Sequence, residues 1–467
     1  MGSSTTYALR QMDAALHGPV IFANVPNAEA KRWTEMFMDA LRKECRPLHT
    51  LLDQHAEDFR VKVAAAARFV CFTVEGMSDA ALIAHGVPRG LHVVTHGVES
   101  GGLTIVSKAG FLPKFDNLGG NLHDMLANLP DGATVHLNPK YSGNLCFVHL
   151  FEEEEGIIRT AVYTKNSAGG ETKHRTVPQD DLAAYFKEKV NVRGLYDIGV
   201  RCCAFEAMLL CDGTHGSRVV STDAEGNPVN AYVCTSLHGD HASPQSVEEL
   251  TPRLPDWKRI ALACGLLVDP GYETTVHEGN RACVLRALSR FDAEKDFMTV
   301  RRMGQLLEEG GFVRPFADHP NVINYGQVMR FLEGVIVCTT HSGKTDIFKH
   351  KCPDYTRVTF GLRAWRQLRT IFPKRYGRKA NLLDLVRHAH RYVNIWCNTP
   401  EGKACFYEQV VALALLMDDA ENVNAQADTD PVVEKFRNAV VLPPLRARED
   451  MKAKRIPESH WTEPFTE

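Results

Sequence analysis

The sequence predicts an α+β chain in three parts. Between Ala28 and Ala66, apolar residues such as Trp33, Phe37, Leu41, Leu48 and Leu51 recur near three and four apart, the spacing of a helix face. From Phe69 to Thr164 the pattern turns to short runs of β-branched and aromatic residues, with Gly and Asn at the breaks. Beyond Leu362 the strand signal fades. Arg363–Ile371, Leu382–Trp396, Lys403–Met417 and Pro431–Val440 read as helices. The expected division is an N-terminal helical segment over 1–64, a β-rich domain over 65–360 and a helical C-terminal domain over 361–467.

Within the middle part, Phe69–Val74, Leu91–Val94 and Leu103–Val106 read as strands. Thr134–Leu137 and Leu145–Leu150 flank a turn at Lys140 and are expected to pair with each other. The acidic run Glu152–Glu155 reads as a solvated loop. Residues 243–329 mix helical pieces, Trp257–Leu267 and Lys295–Glu309, with loops, and read as an insertion between two strands of the core sheet.

The totals set outer limits. A chain of 467 residues, 44% hydrophobic and 24% charged, has ample core and is not a disordered chain. No apolar run approaches the roughly 20 residues that a membrane-spanning helix needs. Formal net charge is −3, so any nucleic-acid site must be a local basic patch. Thirteen Cys without framework spacing read as reduced thiols in a cytoplasmic or other reducing intracellular compartment, not a secreted protein. The start, Met1-Gly2-Ser3-Ser4-Thr5-Thr6, fits the loose myristoylation pattern, but no polybasic second signal follows it.

Several segments carry chemistry. Lys140 stands in Lys140-Tyr141-Ser142-Gly143-Asn144-Leu145, where Gly143 allows a tight turn. A lysine amine can attack phosphorus and survive as a phosphoramidate, provided that some of it is unprotonated. Glu206 interrupts the apolar strand Cys202–Leu210, where an unpaired charge is costly unless a hydroxyl or cation meets it. Glu333 precedes Gly334-Val335-Ile336-Val337, at the entry to a buried strand, and is a candidate ligand for Mg²⁺ beside a phosphate. Lys349 and Lys351 alternate on one strand, share a face and could clamp that phosphate.

A further patch is basic. From Arg357 to Arg391 only Asp384 opposes a long series of cations that includes Arg363, Arg366, Arg369, Lys374, Arg375 and Arg378. Trp365, Tyr376 and Tyr392 are interleaved, which suits a phosphate backbone with base stacking. His215, Cys234, His238, His241 and the pair Cys202–Cys203 have no zinc-finger spacing and read as core or surface residues.

Taken in order, Arg89-Gly90, Lys114-Phe115-Asp116-Asn117, Lys140 to Leu145, Thr164-Lys165-Asn166-Ser167, Phe205-Glu206, Glu333 to Val337, and Lys349-His350-Lys351 with Pro353-Asp354-Tyr355 resemble the ATP-dependent RNA ligases. The nearest likeness is to the phage RNA ligase 1 type of the covalent nucleotidyltransferase superfamily, over roughly residues 65–360. The resemblance implies a nucleotidyltransferase core of antiparallel β-sheets with flanking helices, and an all-helical C-terminal domain that grips RNA. It also implies ATP and Mg²⁺ or Mn²⁺ as cofactors. By it, Lys140 carries AMP, with Arg89, Lys114, Lys165 and Gly143 around the nucleotide. Glu206 binds the ribose, Tyr232 stacks on adenine, Glu333 serves the metal, and Lys349 and Lys351 hold the α-phosphate. Ser142 departs from the pattern, standing where the family usually has Asp.

The expected partners are RNA 3′-hydroxyl and 5′-phosphate ends, with separate end-healing enzymes, because no kinase or phosphatase motif is recognisable. Two rivals remain at this point: a related transferase that uses GTP or a DNA nick, and a non-catalytic RNA-binding protein on a decayed ligase core.

Overall fold

The computed structural model describes residues 19–352 apart from 98–100, 116, 119, 171, 210–219, 223–227, 294–297, 326–327 and 330–331, together with residue 374. The chain is α+β and its sheets are antiparallel. Strands β1 (Ala23–Asn24), β2 (Phe59–Ala65), β3 (Phe69–Gly76), β4 (Leu91–Gly97) and β5 (Leu103–Ala109) form a five-stranded sheet in chain order. Helices α1 (Asn27–Glu44) and α2 (Arg46–Gln54) cover one face of it, with Phe37, Leu41 and Leu48 against Phe72, Leu91 and Val93.

The helical pattern expected through Ala66 ends at Gln54. Pro47 starts α2 within its first turn, where a missing N–H costs nothing. Phe59, Val61 and Val63 alternate with Arg60 and Lys62, which is the period of a strand. The expected boundary at 64/65 therefore falls inside β2. Helix α3 (Asp79–Ala84) follows β3, and Ser78 Oγ accepts the Ala81 N–H at 3.1 Å as its cap.

A second sheet has the order β12–β9–β7–β8, from β7 (Asn144–Glu154), β8 (Ile157–Thr164), β9 (Cys202–Met208) and β12 (Ala231–His238). Its inner face packs on the first sheet through Phe147, Phe151, Tyr163, Cys202 and Ala204. Its outer face is covered by α5 (Lys173–Lys189), α6 (Val192–Asp197) and α7 (Trp257–Ala263). The acidic run is not all loop: β7 continues to Glu154, with Arg68 paired to Glu153 and Glu154 and Arg159 paired to Glu153.

The third sheet has the order β13–β6–β15–β16, from β6 (Thr134–Lys140), β13 (Tyr272–Thr275), β15 (Gly334–His341) and β16 (Lys344–Lys351). Helices α4 (Leu122–Ala127), α8 (Glu278–Ala293) and α9 (Val300–Glu309) pack behind it on Leu137, Val335 and Val337. A small sheet, β11–β10–β14, joins β10 (Val220–Thr222), β11 (Pro228–Val229) and β14 (Val328–Met329).

The structure departs from expectation at two places. The strands on either side of the Lys140 turn do not pair: β6 belongs to the third sheet and β7 to the second. The turn thus carries the chain from one sheet to the other. The stretch 243–329 is also more than an insertion, because its strand β13 forms the edge of the third sheet in register with β6. No helix among the described residues is long and apolar enough to cross a membrane. The expected C-terminal domain, with Arg363, Arg366, Arg369, Arg375 and Arg378, lies outside the described residues; Lys374 alone is described, as an exposed residue.

Candidate active site

A cavity of about 1270 Å³ opens around the turn that joins the two sheets, with Lys140, Glu206, Glu333 and Lys351 in its wall. Lys140 ends β6, and Gly334 lies opposite it at the start of β15. On the other side of Gly334 the register partner is Lys351. A Cβ on Gly334 would come within 1.9 Å of the His350 carbonyl, so only glycine lets the strands meet this closely. Glu333, just before β15, is fixed by its backbone: its N–H donates to Lys140 O at 3.0 Å, and its carbonyl accepts from Cys352 N at 2.9 Å.

The Glu333 side chain is buried and takes one lysine on each oxygen. Lys140 Nζ is 2.9 Å from Oε2, and Lys351 Nζ is 3.0 Å from Oε1. Burial pushes this carboxyl upward, but Lys140 and Lys351 together outweigh it and hold the group below its usual range.

Glu206 faces the same cavity from β9. Its neighbours Phe205 and Ala207 turn into the apolar core on the far side of the sheet. The Gly143 N–H donates to Glu206 Oε1 at 2.9 Å, which ties the lysine turn to the second sheet. A Cβ at Gly143 would meet the Ala207 carbonyl at 2.5 Å, so the glycine is required by close approach. Tyr141 anchors the other side of the turn. Its hydroxyl donates to Asp269 Oδ2 at 2.5 Å, and Asp269 also accepts from Tyr325 and the Gly271 N–H. Ser142 is buried within the turn.

Lys114, Phe115 and Asn117 lie along β16. Asn117 makes a parallel bridge with Lys349, and the Leu118 N–H donates to Lys349 O at 2.9 Å. Lys349 Nζ therefore sits 5.5 Å from the Phe115 ring centre. Burial, then the cations Arg89, Lys114, Lys351 and Lys140, bring the Lys349 ammonium down to about 8. Arg89 stands between Phe111 and Phe115, 4.6 and 4.7 Å from the ring centres, and its Nε donates to Leu112 O at 3.2 Å. Its Nη2 is shut off from solvent and has no hydrogen-bond partner. Burial brings this guanidinium down to about 10, against the pull of Glu206 and Asp79. Lys114 pairs with Asp79 at the start of α3, a hydrogen bond that holds the Asp79 carboxyl low. Lys165 also lines the cavity.

The structure thus brings Arg89, Lys114, Lys140, Gly143, Lys165, Glu206, Glu333, Lys349 and Lys351 to one cavity. It does not bring Tyr232 there. Tyr232 is in register with Ala207, on the outer face of its sheet, and its hydroxyl donates to Asp181 Oδ2 at 2.6 Å. Its neighbour Val233, opposite Glu206, faces the cavity instead.

Sequence reasoning missed the far wall. Arg253 lies 5.3 Å from the Trp257 ring centre, and Lys258 Nζ donates to Pro270 O at 2.5 Å. Burial lowers both cations, and the Arg253 Nε has no partner. Nothing local in the sequence marks them; they become cavity residues because 243–329 folds against β6. Among the described residues, the His and Cys residues weighed as zinc ligands form no group of three with ligand atoms close together. His238 hydrogen-bonds to Ser236 and Thr251, and burial pushes the Cys202, Cys203 and Cys234 thiols up. His215 lies outside the described residues.

The donor set fits a magnesium ion that takes most of its ligands from phosphate oxygens or water. Such an ion takes one or two protein carboxylates, and Glu333 offers one, flanked by Lys140 and Lys351.

No protein-family model matches the sequence, and none of the curated proteins is significantly similar to it. Among solved structures, one form of an archaeal ATP-dependent RNA ligase is similar over 84% of this chain and 83% of its own, at 11% identity and a TM-score of 0.41. A second form of an archaeal ATP-dependent RNA ligase is similar over 87% and 80%, at 12% identity and a TM-score of 0.38. A protein proposed to be an ATP-dependent DNA ligase, from Aquifex aeolicus, is similar over 80% and 79%, at 9% identity and a TM-score of 0.36. These likenesses are distant, and the functional reading rests on the cavity's own residues.

Proposed function

We propose that the chain is an ATP-dependent RNA ligase that carries AMP on Lys140. The observation that supports this most directly is the Lys140–Glu333–Lys351 arrangement: one buried carboxylate holds a candidate nucleophile and a phosphate-clamping lysine on its two oxygens. Glu206 across the cavity suits a ribose hydroxyl, and Arg89, Lys114 and Lys349 suit phosphate oxygens.

In the first step Lys140 Nζ, having given up a proton, attacks the α-phosphorus of ATP. An N–P bond forms, the bond to the bridging oxygen breaks, and pyrophosphate leaves. Lys349 and Lys351 offset the charge that builds on the α-phosphate oxygens. A 5′-phosphate oxygen of RNA then attacks the same phosphorus and displaces Lys140, leaving an adenylylated RNA end. A 3′-hydroxyl attacks the RNA 5′-phosphorus and AMP departs. Glu333 is the residue that would hold Mg²⁺, which supplies charge neutralisation at the phosphates when bound.

The RNA rather than DNA reading rests on Lys114-Phe115-Asp116-Asn117 and Lys349-His350-Lys351, the motifs that carry the family resemblance. Of the first run, Lys114 and Phe115 lie beside Lys349 and Asn117 bridges it. The test is incubation with α-labelled ATP and a divalent cation, followed by a denaturing gel. Acid-labile, base-stable label on the wild type and none on Lys140→Ala is expected, with joining of 5′-phosphate RNA to 3′-hydroxyl RNA. Absence of label after any bound AMP is stripped, with GTP also tried, would overturn it.

A further inference from the structure

A second cluster lies away from the cavity walls, at the corner where α2 meets β2. His55 ends α2, its N–H donating to Leu51 O at 3.0 Å. The Asp58 N–H donates to His55 O at 3.0 Å, which folds this stretch into a turn. The Asp58 carbonyl accepts from Met77 N at 2.8 Å and so ties the turn to the end of β3. His85 follows α3, its N–H donating to Ala81 O at 3.2 Å. Two neighbours in sequence and one distant residue are thereby brought to one place by backbone bonds.

Each of the three offers one ligand atom, and these atoms lie within 4.8 Å of one another; among the described residues no other His, Cys, Asp or Glu group does this. His85 Nε2 is 3.6 Å from Asp58 Oδ2. The His55 and His85 rings are 4.2 Å apart at 46°, and Phe59 meets His85 edge-on at 5.6 Å. All three side chains are partly exposed, so an ion could enter and water could complete its shell.

We propose that His55, Asp58 and His85 form a binding site for a divalent transition-metal ion, zinc in the first instance. Two imidazoles and one carboxylate are a borderline donor set, the kind that zinc prefers over calcium or magnesium. Zinc bonds of roughly 2.0–2.2 Å place tetrahedral ligand atoms about 3.3 Å apart. The His85–Asp58 pair is nearly there at 3.6 Å, and the His55 ligand atom lies within 4.8 Å of both. The ion would clip the C-terminal end of α3 to the α2–β2 corner. The N-terminal end of the same short helix carries Asp79, which holds Lys114 in the cavity. The site is thus a clamp on an element that shapes the cavity, and it stands whether or not the chain ligates RNA.

The test uses the full chain, stripped with a chelator and titrated with Co²⁺ and then Zn²⁺. Wild type should take one equivalent with d–d bands of nitrogen and oxygen donors, and zinc should displace the cobalt and raise the melting temperature. In His85→Gln the affinity should fall by at least about 100-fold, with the melting shift lost. Asp58→Asn, a near-isosteric change at a half-exposed position, serves the same comparison if His85→Gln does not fold. Equal cobalt affinity in wild type and both variants, or a thiolate charge-transfer band in place of the d–d pattern, would overturn the proposal.

Discussion

Lys140 Nζ lies 2.9 Å from Glu333 Oε2, and the other oxygen of that carboxylate holds Lys351. One buried group therefore sets the separation of two cations that would otherwise repel. Glu333→Gln keeps the shape and removes the charge. Removing one partner of a fully buried pair costs about 3–5 kcal/mol. Lys140 and Lys351 are 21% and 36% exposed and can turn to water, so a loss nearer ~1–2 kcal/mol is expected by denaturant melt. Labelling by α-labelled ATP should fall much further, by on the order of 100-fold, because the charge arrangement at the phosphate is lost. Equal proportional losses of folded protein and of label would show that Glu333 is structural only.

Gly334 is the spacer between those lysines, in register with both. Gly334→Ala would force β16 away from β15, since the new methyl falls 1.9 Å from the His350 carbonyl. Overpacking of this kind costs roughly 1–3 kcal/mol or more. The expected result is a lower melting temperature together with loss of label beyond what the unfolded fraction explains. A variant that labels like wild type would mean that the strand spacing does not position Lys351.

The pH behaviour of Lys349 has a definite sign. Its ammonium is brought down to about 8 by burial and by Arg89, Lys114, Lys351 and Lys140. A depressed lysine favours the neutral form in the fold, so its contribution to stability is complete above its unfolded value near about 10.4 and is lost as pH falls through about 8. A nucleotide phosphate beside it reverses the preference and pulls the group back up. Nucleotide binding should therefore take up protons between about pH 8 and 10 and weaken as pH rises across that window. Calorimetry in buffers of differing ionisation enthalpy reads the uptake directly. Lys349→Met should abolish it, and uptake of the same size in that variant would assign it elsewhere.

The candidate lysines and carboxylates were legible in the sequence because each marks a local anomaly: Lys140 in a glycine turn, Glu206 in an apolar strand, Glu333 before a β-branched run. Strand pairing was not legible. Thr134–Leu137 and Leu145–Leu150 look like a hairpin locally, yet they part into two sheets because Gly143 abuts Ala207 and Lys140 meets Gly334, contacts set by residues far along the chain. The face of Tyr232 depends on its register with Ala207, and the register slips at Cys234/Ser236, so alternation alone cannot settle it. Arg253 and Lys258 had no signal, because their burial comes from how 243–329 closes against β6. The strand Phe59–Ala65 was hidden by the helical spacing upstream of it.

Arg89 offers the sharpest separation of phosphate from base recognition. Its guanidinium is held between Phe111 and Phe115, one nitrogen donates to Leu112 O, and Nη2 is left buried without an acceptor. An unpaired buried donor is costly, and a phosphate oxygen would relieve it. Arg89→Lys keeps a charge but loses the planar stack and the second donor, so the change is not conservative here. Hydrogen bonds to charged groups contribute about 1.5–3 kcal/mol, so ATP affinity should fall roughly 10- to 100-fold. Adenosine, which has no phosphate, should bind wild type and variant alike. A parallel loss for adenosine would mean that Arg89 shapes the cavity rather than holding phosphate, and unchanged ATP affinity would remove it from the site.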